Sequence, residues 1–184
     1  MFVVDSNILI YAVNNSAAEH PRSRALVEGW RRGGHPWFIT WGIAYEFMRV
    51  TTHKHMPSPL QSGREAWGFI ESLQSGGLKV LLETDQHQEI LSRTLDQFPA
   101  LRGSILHDVH TAVLMREHGV RRIYSRDTDF HKLPFLDVID PLRSDWTTAE
   151  ALAEYGGPSV RRRGRQTAPT PASLRPRRQR APVR

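Results

Sequence analysis

The chain has 184 residues, no cysteine, 39% apolar and 24% charged residues, which suits one soluble domain with a proper core plus a short extension. The lack of cysteine excludes disulfides, thiolate catalysis and cysteine-bound zinc, and it fits a cytoplasmic location. The net charge of +6 is unevenly spread: residues 1–155 carry 16 Lys/Arg against all 19 Asp/Glu, a net −3, while residues 156–184 carry nine arginines and no acid. A mildly acidic body with a basic end points to a polyanionic partner; the plain alternative is a solvated terminus.

Phe2-Val3-Val4 is a short β-type run that stops at Asp5. No basic stretch precedes it, and the longest apolar run there, Ile8 to Val13, is far short of the ~20 residues of a membrane helix, so neither an export signal nor a membrane span is expected. A helix is predicted from near Asn7 and another over Pro21 to Arg32. Phe38-Ile39-Thr40 reads as the second strand. Ile43, Phe47 and Val50 then recur on one face of a helix from Trp41 to His53. Pro57 and Pro59 interrupt it. A helix around Leu60 to Gln74 leads through Gly76-Gly77 into a strand at Lys79 to Leu82.

Residues 85–98 read as helical and Pro99 ends them. Ser104 is a candidate cap for the next helix, whose apolar face carries Ile105, Leu106, Val109, Ala112 and Val113, and Gly119 stops it. Ile123-Tyr124 forms a fourth strand and Leu136 to Ile139 a short fifth. Strands regularly separated by helices predict an α/β fold with a mainly parallel sheet of about five strands. From Gly156 onward the chain is rich in Gly, Pro, Arg, Ser and Thr, with almost nothing to bury, and disorder is expected there.

In parallel sheets, sites gather beyond the carboxyl ends of strands. Asp5 closes the first strand and Asp127 follows the fourth. Four acidic positions stand out together: Asp5 (with Asn7), Glu46, Asp108, and Asp127 (with Asp129). Each lies beside an apolar face, where an unpaired carboxylate is costly. Two carboxylates about 4 Å apart repel by roughly 4 kcal/mol at an effective dielectric of about 20. Four gathered acids therefore call for a cation, and oxygen ligands without cysteine select Mg²⁺ or Mn²⁺. Taken singly, each has another explanation. Asp5 suits an Asx-turn or helix cap, and Glu46 a helix surface. Asp108 suits a first helical turn, and Asp127 and Asp129 suit turns.

The set Val3-Val4-Asp5-Ser6-Asn7, Glu46, Leu106-His107-Asp108-Val109-His110-Thr111-Ala112 and Ser125-Arg126-Asp127-Thr128-Asp129-Phe130 resembles the PIN domain, and more narrowly the VapC-type toxins of bacterial toxin–antitoxin pairs. The resemblance runs from residue 1 to about 142. It implies a three-layer α/β/α sandwich with the first strand central, a nuclease domain over residues 1–143 and a C-terminal extension over 144–184. It further implies that Asp5 and Asp108 hold Mg²⁺ (or Mn²⁺) and that Glu46 and Asp127 complete the catalytic set. Ser125 then stands where family members usually carry Thr. Asp127 rather than Asp129 is expected to face the metal.

The expected activity is endoribonuclease cleavage by metal-activated water, with Asn7, Ser125 and Asp129 in support. Arg49 and Arg126 are candidate phosphate contacts, or else balance nearby acids. The resemblance also implies an RNA substrate, a cognate antitoxin and a homodimer. His107 and His110 bracket Asp108 at a spacing that suits a transition metal, but the sequence identifies no further ligand for them. Solvated or RNA-facing histidines are the expectation. Two other classes compete: a PIN-fold module that binds RNA or protein without turnover, and a haloacid-dehalogenase-type phosphatase. The complete acid set opposes the first. Asn7, where the second needs a general acid, opposes it.

Overall fold

The first strand, β1 (Phe2–Val4), is buried along its whole length. Successive strand side chains point to opposite faces. Phe2, Val3 and Val4, none more than 1% exposed, therefore require cover on both faces of the sheet, the condition under which parallel sheets are stable. The computed structural model describes residues 1–57 and 60–143 and supplies that cover with helices. The expected extension over 144–184 and its predicted disorder, and Pro59, lie outside the described residues.

Five strands run in the order β3-β2-β1-β4-β5, with β2 at Trp37–Thr40, β3 at Leu78–Leu81, β4 at Arg122–Tyr124 and β5 at Asp137–Ile139. Every neighbouring pair is parallel. β1 is central, pairing with β2 through Val3–Phe38 on one side and with β4 through Val3–Ile123 on the other. The chain builds outward one way from β1 and then returns to β1's other edge at β4, so the strand order reverses beside β1. A crevice opens there at the carboxyl ends of the strands.

The helices are α1 (Ser6–Val13), α2 (His20–Arg32), α3 (Trp41–Thr51), α4 (Gly63–Gln74), α5 (His87–Gln97) and α6 (Ile105–Glu117), with a 3₁₀ turn at Thr128–Lys132. Local chemistry sets their ends. The Thr40 side chain accepts from Ile43 N–H at 3.2 Å, so α3 begins with no linker after β2. Ser62 accepts from Glu65 N–H and caps α4, which moves that start to Gly63 from the expected Leu60. α6 ends in a Schellman arrangement, with Gly119 N–H donating to Arg116 O, Val120 N–H to Met115 O, and Gly119 at φ 64°, the left-handed backbone that glycine takes without cost.

Phe2, Trp30, Trp37 and Tyr124 form an aromatic core cluster, with Phe2 5.3 Å from both Trp30 and Tyr124 between ring centroids. Packing departs from the sequence pattern at Leu106. Expected on the buried face of α6, it is 46% exposed. It lies in the first turn, whose neighbours Ser104, His107 and Asp108 line an open cleft. Ser104 occupies the cap position of α6 but makes no side-chain capping bond. No helix among the described residues is long and apolar enough to cross a membrane.

Candidate active site

Asp5 sits where β1 turns into α1. Its backbone is extended and its carboxylate caps the helix, accepting from Ser6 N–H at 2.6 Å. The cap reading holds, and the same residue lines the cleft at the strand end. Its other oxygen, Oδ2, accepts from Asn7 Nδ2 at 2.6 Å and from Ser125 Oγ at 2.5 Å. Ser125 follows β4, so this bond ties the two strands that flank the switch point. Ser125 Oγ also accepts from Asp127 N–H at 2.8 Å and from Asn7 Nδ2 at 3.1 Å. Ser6 Oγ lies 3.3 Å from Asp5 Oδ1 and donates to Glu46 Oε2 at 2.9 Å, linking α1 to α3.

Asp5, Glu46, Asp108 and Asp127 line one cleft of about 730 Å³ together with Asn7, Asp129 and Arg49. Asp127 caps the 3₁₀ turn through its bond from Asp129 N–H. Asp129 is held by Lys132 Nζ at 2.7 Å. Ser125 supports the acids from below and is 1% exposed. Arg126 is not among the cleft-lining residues. Its guanidinium is taken up by Glu19 at 2.6 Å and Asp140 at 3.5 Å, and only its N–H touches the site, donating to Asn7 Oδ1 at 3.4 Å. Arg49 is 72% exposed in its side chain and sits 3.6 Å from Glu46.

The electrostatics of the cleft bear on whether it suits a cation. Burial raises Asp5 from 3.8 to about 6, against the lowering effect of the bonds from Ser125 and Ser6, while Glu46 and Asp127 add repulsion. Asp108 is raised further, to about 7, by burial first and then by repulsion from Asp127, Asp5, Asp129 and Glu46. Asp127 is the largest repulsive contributor to Asp108, ahead of Asp129, and it is Asp127 that also acts on Asp5. Among the described residues no hydrogen-bond donor or basic group offsets that repulsion at Asp108, whereas Asp5 has three donors within 2.6 Å. Carboxylates that repel one another in an open, oxygen-lined cleft are stabilised in ionised form by a hard divalent cation, and the residues present fit one.

Several contributors escaped the sequence. Ser6 bridges two acids from inside the first motif, where its flanking Asp5 and Asn7 were the available signal. Tyr45, 66% exposed, also lines the cleft; it directly precedes Glu46, but nothing in a lone sequence marks it.

The comparisons with known proteins agree with this geometry. A family model described as the PIN domain matches residues 2–136. The chain is 28% identical over 138 residues to Ribonuclease VapC48 of Mycobacterium tuberculosis, covering 74% of this chain and 94% of that one. It is 29% identical over 131 residues to Ribonuclease VapC37 of the same organism, covering 71% and 90%. Among solved structures it is similar to Mycobacterium tuberculosis VapC20, described as a sarcin–ricin loop cleaving toxin, at TM-score 0.54 and 18% identity over 74% of this chain and 97% of that one. It is also similar to VapBC2 of Rickettsia felis, solved with a DNA fragment from its promoter, at TM-score 0.51 and 14% identity over 75% and 96%. With its parallel five-stranded sheet and an acid cleft at the end of the central strand, the chain belongs to the PIN domain family.

Proposed function

We propose that this protein is a divalent-metal-dependent endoribonuclease acting as the toxin of a cytoplasmic toxin–antitoxin pair. One observation carries the reading: four acids from four separate segments line one cleft, and Asp108 among them has, within the described residues, no partner to stabilise its charge. Asp5 and Asp108 would hold Mg²⁺ or Mn²⁺. A cation bound there lowers the pKa of water and neutralises phosphate charge.

The protein's own residues do the rest. Ser6, Asn7 and Ser125 fix both oxygens of Asp5, so the carboxylate is oriented before anything binds. Glu46 and Asp127 position the attacking water and receive its proton. Arg49, on the rim and mostly exposed, meets substrate phosphate. The water oxygen bonds to phosphorus as the bond to the 3′ oxygen breaks, and the departing 3′ oxygen takes a proton from solvent. The products then carry 5′-phosphate and 3′-hydroxyl ends, and 2′,3′-cyclic phosphate ends would exclude the route.

The toxin would pair with an antitoxin that shields the cleft, a reading supported by its similarity to the VapBC2 structure, and would act as a homodimer. End-group analysis of cleaved RNA by phosphatase and ligase sensitivity tests the chemistry. RNA binding without cleavage in both wild type and Asp5→Ala would instead favour an inert PIN-fold module.

A further inference from the structure

Outside the four acids, one group of side chains gathers metal-ligand atoms closely. We propose that Glu83, His87 and His110 form a second metal site, for a transition ion such as Zn²⁺, beside the cleft. One ligand atom from each lies within 4.8 Å of the others, the one such group of three among the described residues. The four active-site acids are not so closely drawn together.

The site is built by α6 and the segment that follows β3. His110 and Glu117 are seven residues apart on α6, two turns along one face. The loop after β3 docks against that face: Glu117 accepts from Thr84 N–H at 2.7 Å and Thr84 Oγ1 at 2.8 Å, and His118 Nε2 lies 2.7 Å from Leu82 O. Glu117, whose side chain is closed to solvent, also takes the Nδ1 position of His87 in a short contact. A carboxylate on Nδ1 sets the ring's tautomer and leaves the Nε2 lone pair for a metal. This is the carboxylate–histidine pairing that orients imidazole ligands in metal sites. His110 completes the set, with its Nε2 3.3 Å from Glu83 Oε1 and its ring 5.5 Å from that of His87.

Two imidazoles and one carboxylate select a borderline ion over Mg²⁺. Three protein ligands leave a fourth position open, as in His₂Glu zinc sites. Of the three ligands His110 lines the acid cleft and Glu83 and His87 do not, so the site borders the space assigned to substrate. The occupant of the fourth position is a phosphate oxygen of RNA, a role that rests on the nuclease reading, whereas the metal site itself does not.

Titration of the full-length protein with Co²⁺, followed by visible absorption, tests both claims. The expected result is one equivalent giving the intense bands of four-coordinate Co²⁺, retained in Asp5→Ala/Asp108→Ala. Those bands should be lost in His87→Gln and His110→Gln. Glu83→Gln, at a 63% exposed side chain, should also lose them without threatening the fold. Glu117→Gln should weaken binding about 10- to 100-fold. Bands that persist in Glu83→Gln and His110→Gln, absence of bands in folded wild type, or loss of binding with the Asp5/Asp108 pair would each overturn the site. Adding single-stranded RNA to the Co²⁺-loaded Asp5→Ala/Asp108→Ala protein should shift the bands. Bands that do not move would overturn the phosphate assignment while leaving the metal site standing.

Discussion

Replacing Asp108 by Asn should make the metal-free protein more stable while destroying its activity. The carboxyl is raised from 3.8 to about 7 in the folded chain, so the folded state holds its proton more tightly than the unfolded state does. Below the unfolded value both states are protonated and Asp108 costs nothing. As pH rises towards 7 the unfolded chain ionises freely and the folded one does so against burial and four neighbouring acids, so stability falls across that window. The rise corresponds to about 4 kcal/mol. The carboxyl is only half-buried, and solvent screening reduces this to about 1–2 kcal/mol. That is roughly 3–6 °C in Tm for a chain of this size.

Urea unfolding in EDTA at pH 5 and pH 8 measures the effect. Wild type should lose stability between the two, and Asp108→Asn should lose less and exceed wild type at pH 8. Mg²⁺ at a hundred times its Kd should return about 2.7 kcal/mol to wild type and nothing to the variant. A variant less stable than wild type at pH 8 in EDTA would refute the charge-repulsion account of the cleft.

Ser125→Ala removes the donor that orients Asp5 Oδ2 and the acceptor for Asp127 N–H. Activity should drop about 10- to 100-fold with the fold intact, and metal titration calorimetry should show weaker binding. Tyr45→Ala deletes the exposed ring beside Glu46. If a base stacks there, RNA affinity should weaken by about 1–3 kcal/mol in fluorescence anisotropy, with metal binding unchanged. Deleting residues 156–184 removes nine arginines. The slope of log K against log[salt] should flatten by about 0.7 for each phosphate of single-stranded RNA that those arginines neutralise, and an unchanged slope would exclude the basic segment from RNA binding.

The alternation of short apolar runs and helical patterns was enough to place all five strands, helped by chemical stops beside several of them: Asp5 after β1, Gly76-Gly77 before β3, Gly119 before β4. The acids were legible for a related reason. A residue at or just past the carboxyl end of a parallel strand is carried to one end of the sheet, so Asp5, directly after β1, and Asp127, three residues past the end of β4, came to the same end once those strands paired. Glu46 followed because α3 begins without a linker. Arg126 was harder to read. It is adjacent to Asp127, yet its guanidinium answers to Glu19, 107 residues earlier in the chain, and no local pattern announces that pairing. The Glu83–His87–His110 group was invisible in the same way. His110 showed only half of a site, and its partners arrive through the docking of the post-β3 loop on α6. Leu106 failed differently: it shares the first turn of α6 with Ile105, which is only 4% exposed, yet Leu106 itself is left 46% exposed.

Incubation of purified full-length protein with mixed cellular RNA, in Mg²⁺ or Mn²⁺ against EDTA and alongside Asp5→Ala and Asp108→Ala, tests the central claim most directly. The account predicts discrete cleavage that requires the divalent ion and disappears in both variants. Cleavage that survives EDTA or either substitution, or no cleavage of any cellular RNA by folded wild type, would contradict it.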